Sequence, residues 1–160
     1  MQEYVIELPN LEYPRKELFD YQNNNPNYKG NMHFQNSYKY DTSDCFFFDL
    51  IDQDCKEANE LANSLGLEEY KFTKVLAGGK MPAHIDPFRT GVLMLPLTDE
   101  PSPIIFYENG EETFRYTYTG PTIINAKIKH GVPEVTRDRI FLQINLKEPW
   151  NDILSTYHSK

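Results

Sequence analysis

Residues 79–86 read Gly79-Lys80-Met81-Pro82-Ala83-His84-Ile85-Asp86, and 44 positions after Asp86 the chain reads His130-Gly131-Val132-Pro133. In an extended chain, residues i and i+2 project from the same face, so the His84 imidazole and the Asp86 carboxylate can converge on one point. His130 also follows an apolar run and precedes a turn. Two imidazoles and one carboxylate on one side of an ion form a ligand set that leaves the other side open. That reading requires both segments to lie on strands, and their surroundings bear on this.

Outward from Asp86, short apolar or alternating runs follow one another: 70–77, 91–97, 104–107, 113–119, 122–126 and 140–146. Turn signals separate them, at Gly78-Gly79, Pro101 to Pro103, Asn109-Gly110, Gly120-Pro121 and His130 to Pro133. Asn109-Gly110 between two aromatic-rich runs predicts a tight hairpin. Ahead of these runs, Asp54 is placed to cap a helix through Lys56–Leu65 that ends at Gly66. Its apolar stripe is Ala58, Leu61 and Leu65, with the acids outward. The first 40 residues are polar and aromatic, with one short strand at Tyr4–Leu8 and an Asn-rich loop at 22–27. Cys45 to Phe48 reads as a buried strand. The expected fold class is mainly β with N-terminal helical and loop elements, a small antiparallel barrel or jelly roll. The expected organisation is one domain over 1–160: support over 1–67, the β core over 68–147 and a tail over 148–160.

The chain has 160 residues and a formal charge of −8. Residues 41–70 hold nine acids and one base, so they carry the whole excess, and the remaining residues are balanced. A localised acidic segment argues against a general nucleic-acid or anionic-membrane surface, whose footprint is basic. No stretch approaches the roughly 20 apolar residues of a membrane span, and MQEYVIELPN has no secretory pattern. Cys45 and Cys55 make no metal-binding spacing and read as reduced thiols, which points to the cytoplasm.

Arg139 stands nine residues past His130 and opens the run Ile140-Phe141-Leu142-Gln143-Ile144. A guanidinium is suited to gripping a carboxylate through two N–H groups. The order of a strand, His-x-Asp, further strands, a distal His and then Arg resembles the 2-oxoglutarate/Fe(II)-dependent dioxygenases. Pro82-Ala83-His84-Ile85-Asp86, with Leu95-Pro96-Leu97 beyond, looks like the branch near the prolyl and aspartyl/asparaginyl hydroxylases. The resemblance covers roughly residues 68–147. It implies a double-stranded β-helix with Fe(II) on His84, Asp86 and His130, and 2-oxoglutarate and O₂ as co-substrates. It also implies hydroxylation of an unactivated C–H, on a peptidyl Pro, Asn or Asp side chain or alternatively on a free amino acid or small metabolite. Arg139 would hold the distal carboxylate of 2-oxoglutarate, with Thr73 beside it. The asparaginyl/aspartyl enzymes lack the iron-binding carboxylate that Asp86 supplies here, so their substrate preference does not transfer directly.

Other positions carry paired readings. Arg137 replaces Arg139 as the clamp if the strand register differs by two. Arg89 serves the co-substrate or substrate, or is a solvated loop charge. Asn125 donates to the co-substrate, or is a strand-end polar group. Tyr70, Phe72 and Tyr107 line the pocket or belong to the core, and His33 and His158 read as surface residues. Tyr21–Tyr40 reads as a cover over an extended peptide. A cupin-like binding module without turnover is the reading from a different class. It would lack the second His and nearby Glu usual there, and it leaves Arg139 with nothing to hold.

Overall fold

Strand β11 (Arg139–Leu146) lies at the middle of the larger of two antiparallel sheets. Its side chains alternate: Ile140, Leu142, Ile144 and Leu146 are buried on one face, and Arg139, Phe141, Gln143 and Asn145 project from the other. The computed structural model describes residues 1–30 and 47–158. Cys45, His33, the start of the expected Cys45–Phe48 strand and half of the expected Tyr21–Tyr40 cover (residues 31–40) lie outside the described residues.

Along the chain, the other elements are β1 (Val5–Glu7), α1 (Arg15–Asn23), β2 (Tyr28–Gly30), β3 (Phe47–Leu50), α2 (Lys56–Ser64), β4 (Tyr70–Val75), β5 (Met81–His84), β6 (Gly91–Pro96), β7 (Ile104–Glu108), β8 (Glu111–Tyr116), β9 (Thr122–Asn125), β10 (Lys129–Val132) and α3 (Trp150–Tyr157). The larger sheet runs β1-β9-β6-β11-β4-β3-β2 and the smaller one β5-β10-β7-β8. From β4 to β11 the chain passes repeatedly from one sheet to the other. The apolar face of β11 meets Phe72 of β4, Leu93 and Leu95 of β6 and Ile123 of β9. Over that face lie Leu18 of α1, Ala58 and Leu61 of α2, and Ile153 and Tyr157 of α3. A second cluster between the sheets joins Val92, Met94 and Phe141 to Ile104 and Phe106. Burying each such Leu, Ile or Phe side chain contributes about 1.5–3 kcal/mol. Among the described residues no helix is long and apolar enough to cross a membrane.

The expected closed barrel, the jelly-roll or double-stranded β-helix form, is not what the chain builds. There are two open sheets, and no ladder joins them among the described residues. Closure would need β9 and β4 free to pair across to the smaller sheet. Instead β9 takes β1 on its outer side, over Val5–Glu7, and β4 takes β3, over Phe47–Asp49. The N-terminal residues thus extend the larger sheet at both ends.

Four smaller differences are local. Cys55 rather than Asp54 is the N-cap residue of α2, and the Asp54 carboxylate accepts from the Asn59 side chain at 2.8 Å. The stretch after Gly78-Gly79 forms β5 in the smaller sheet, and His130 sits within β10 rather than beyond a strand. The C-terminal stretch, read as a tail, carries α3. The Asn109-Gly110 hairpin forms as the sequence predicts: both residues adopt positive φ, 54° and 78°, matching the twist of β7 and β8.

Leu142 pairs with Phe72 on one side and Leu95 on the other, and all three are fully buried. Leu142→Ala should therefore lower stability by about 2–5 kcal/mol. Urea unfolding should show this as a lower midpoint at unchanged slope.

Candidate metal centre

His84 closes β5 and lies directly opposite His130 of β10, with ring centroids 4.4 Å apart. The register between the two strands slips after this pair, since Val132 faces Met81, so β5 carries one extra residue there. Such a bulge re-aims the side chains next to it. The strands approach closely at Gly131, where an added Cβ would stand 2.9 Å from the Met81 carbonyl oxygen and 3.0 Å from the Ala83 nitrogen. Asp86 lies just past β5. Its N–H donates to the Ala126 carbonyl at 3.1 Å, and its own carbonyl accepts from Lys127 Nζ at 2.9 Å. The carboxylate is therefore held between the ends of the two sheets.

Each imidazole is oriented in the same way. Nδ1 of His84 lies 2.7 Å from the Pro82 carbonyl oxygen, and Nδ1 of His130 lies 2.7 Å from that of Ile128. A carbonyl oxygen only accepts, so both Nδ1 atoms carry the proton and both Nε2 atoms point inward. Nε2 of His84 is 3.0 Å, and that of His130 3.6 Å, from the same Asp86 oxygen, Oδ1. Burial, reinforced by the neighbouring His84, pushes the His130 imidazole down to about 4, which leaves it neutral with its lone pair available. Burial works to raise the Asp86 carboxyl. Its close contacts with His84 and the Arg89 guanidinium outweigh it and hold the group well below the usual carboxylate range.

Three electron-pair donors thus converge, all within 4.8 Å of one another and all buried. One proton can bridge only one of the two imidazoles to Asp86, whereas a metal ion satisfies all three donors. Two imidazoles and a carboxylate form a donor set suited to Fe(II), and the residues fit such an ion.

The cluster opens on a cavity of about 400 Å³ between the sheets. Arg139 and Thr73 also line it, and Arg137 does not. Arg139 is 3 % exposed, while Arg137 is exposed and donates to the Asp99 carbonyl. The Arg139 guanidinium lies 4.4 Å from the Phe141 ring centroid and 5.5 Å from that of Tyr118. Its Nε and Nη2 are buried with no hydrogen-bond partner among the described residues, as is the Tyr118 hydroxyl. Burial lowers the pKa of Arg139 and pushes Tyr118 up to about 12. The two aromatic rings offset part of the cost of burying this cation, and a carboxylate in the cavity would offset more.

The remaining residues divide. Arg89 lines the cavity but is bound to Asp86. Asn125 does not line it: its amide donates to the Glu3 carbonyl, and its side-chain oxygen accepts from the Lys127 N–H. Phe72 and Tyr70 pack in or against the core on the helix side. Tyr107 is not among the cavity walls, and His158 is exposed on the last turn of the chain. Gln143 and Asn145, absent from the sequence-based set, are both cavity residues. The period-two placement of Arg139, Gln143 and Asn145 within an apolar strand was the signal that marks them.

No protein-family profile and no curated protein matches the chain. Solved structures do. The chain is similar to an oxidoreductase of the 2OG-Fe(II) oxygenase family from Burkholderia pseudomallei, at 13 % identity and a TM-score of 0.60, covering 89 % of this chain and 84 % of that one. It is also similar to a Pseudomonas putida prolyl-4-hydroxylase, at 12 % identity and a TM-score of 0.51, over 84 % and 86 % of the two chains. At such identities the likeness is one of fold.

Gly131→Ala should press β10 away from β5 at the His84–His130 pair. The overpacking should cost about 1–3 kcal/mol. It should also weaken Mn(II) binding, measured by calorimetric titration, whereas Gly120→Ala, with open space around its Cα, should alter neither.

Proposed function

We propose that the chain is a non-haem Fe(II)- and 2-oxoglutarate-dependent oxygenase that hydroxylates an unactivated C–H bond. The observation that carries this reading is the pairing, in one cavity, of a three-donor metal cluster with a buried arginine that has unfilled N–H groups. His84 and His130 through Nε2, and Asp86 through Oδ1, would hold the ion. When bound, Fe(II) with O₂ and 2-oxoglutarate supplies the oxidising power to replace C–H by C–OH as the 2-oxo acid becomes succinate and CO₂.

The chain's own part is orientation and exclusion of water. Arg139 receives the distal carboxylate of the 2-oxo acid through its fork of donors. Thr73 Oγ1 accepts from Gln143 Nε2 at 3.1 Å, which leaves its hydroxyl proton to donate to the same carboxylate. Met94, Ile104, Ile124 and Val132 give the cavity apolar walls, and a low-dielectric wall strengthens both charged contacts. The substrate class in this reading is a peptidyl Pro, Asn or Asp side chain. Its support is the fold shared with a protein named as a prolyl-4-hydroxylase, and Phe88, an aromatic at the cavity with 84 % of its surface exposed. A free amino acid or small metabolite is the alternative for the same chemistry.

With Fe(II) and O₂, the protein should convert 2-oxoglutarate to succinate, and His84→Ala should abolish this. Undiminished succinate formation in that variant rejects the reading. Arg139→Leu should raise the KM for 2-oxoglutarate by about tenfold or more, the equivalent of one lost charge-assisted contact. Mass spectrometry of peptide and metabolite pools for an added oxygen atom decides between the two substrate classes.

A further inference from the structure

The two oxygens of Asp86 do different things. Oδ1 faces both imidazoles, while Oδ2 accepts from Arg89 Nε at 2.8 Å. The guanidinium is itself held from the far side, where Nη1 donates to Gln143 Oε1 at 2.8 Å and to Asn145 Oδ1 at 2.9 Å. Neither amide is free to turn. Asn145 Nδ2 donates to the Glu69 carboxylate, which only accepts, so its oxygen must face Arg89. Gln143 Nε2 donates to Thr73 Oγ1. Glu69 is fixed in turn by Lys147 at 2.6 Å. The polar face of β11 therefore reaches the metal-binding carboxylate through one arginine.

We propose that Arg89 is a positioning residue that restricts Asp86 to a single ligating oxygen, with Gln143 and Asn145 holding the guanidinium in place. The inference rests on the metal-centre reading above and assigns Arg89 neither to co-substrate nor to substrate. A carboxylate can give a metal one oxygen or two. With Oδ2 bound to Arg89, the cluster offers three donors and leaves half of an octahedral ion's positions open. If Oδ2 were released, it could turn onto the ion and take one of those positions. A guanidinium suits this task because Nε and Nη1 point in different directions from one rigid plane, whereas a lysine ammonium cannot grip the carboxylate and both amides in the same geometry.

Two effects of opposite sign make the proposal testable. Removing a cation from beside a metal site should by itself tighten metal binding. Removing a group that orients a ligand typically weakens it by about tenfold or more. The measurements are Mn(II) affinity by paramagnetic resonance titration and the visible absorption of the Co(II)-loaded protein, which reports coordination number. The unaltered chain should bind both ions, and His84→Ala should bind neither. Arg89→Ala and Arg89→Lys should both bind Mn(II) about tenfold more weakly and give an altered Co(II) spectrum. The charge-keeping lysine should not restore either property. The double variant Gln143→Ala with Asn145→Ala keeps every ligand and Arg89 itself, and should reproduce the spectral change even if the Arg89 variants fold poorly. Binding as tight as, or tighter than, in the unaltered chain for Arg89→Ala overturns the proposal, as does a lysine variant with unaltered spectrum and affinity. Absence of any His84-dependent ion in the unaltered chain overturns the metal-centre reading, and this inference with it. A His84-dependent ion indifferent to Arg89 overturns the positioning role alone.

Discussion

The period of two along β11 is the constraint on which the rest of the structure depends. One strand has to supply the core and the cavity together, because it lies in the middle of the larger sheet with both faces covered. Its even-numbered residues close the hydrophobic face under the three helices. Its odd-numbered residues place Arg139, Gln143 and Asn145 in the cavity. A register shift of one residue would exchange the two sets, burying a guanidinium and two amides among leucines. The apolar face therefore holds the functional face in position.

That arrangement makes the interior between the sheets uneven. Val5, Val92 and Tyr116 pack in an ordinary core cluster, while imidazoles, carboxylate and guanidinium are buried around open space that Met94 and Ile104 also line. Buried polar groups are costly unless partnered, and most of these are partnered: the Nδ1 atoms by carbonyls, Asp86 by Arg89, and Arg89 by two amides. The exceptions are the Arg139 Nε and Nη2 groups, buried with no hydrogen-bond partner among the described residues. The groups that are satisfied set the geometry of the cluster.

Much of this was legible in the chain. His84-x-Asp86 marks itself by i, i+2 placement, and Arg139 by opening an apolar run. The Asn109-Gly110 hairpin and the α2 stripe are likewise local, set by turn chemistry and helical period within about ten residues. The barrel reading failed because it depended on what the edges of β9 and β4 pair with. Their partners, β1 and β3, lie 115–119 and 24–28 residues away in sequence, in a region whose composition names no partner. Asn125 was misleading for a similar reason: its position near His130 is local, but the Glu3 carbonyl that holds its amide comes from the other end of the chain.

The sequence by itself determined the order of the two histidines, the aspartate and the arginine, and the strand-and-turn rhythm, because each is written in residue identity and short spacing. Only the tertiary structure decided that two open sheets, rather than a closed barrel, carry these groups. It also decided that Arg139 and not Arg137 enters the cavity, and that Arg89 turns toward Asp86. Those outcomes depend on edge pairing and register between segments far apart in the chain. There the free energy comes from buried faces and hydrogen bonds that do not exist until distant strands meet.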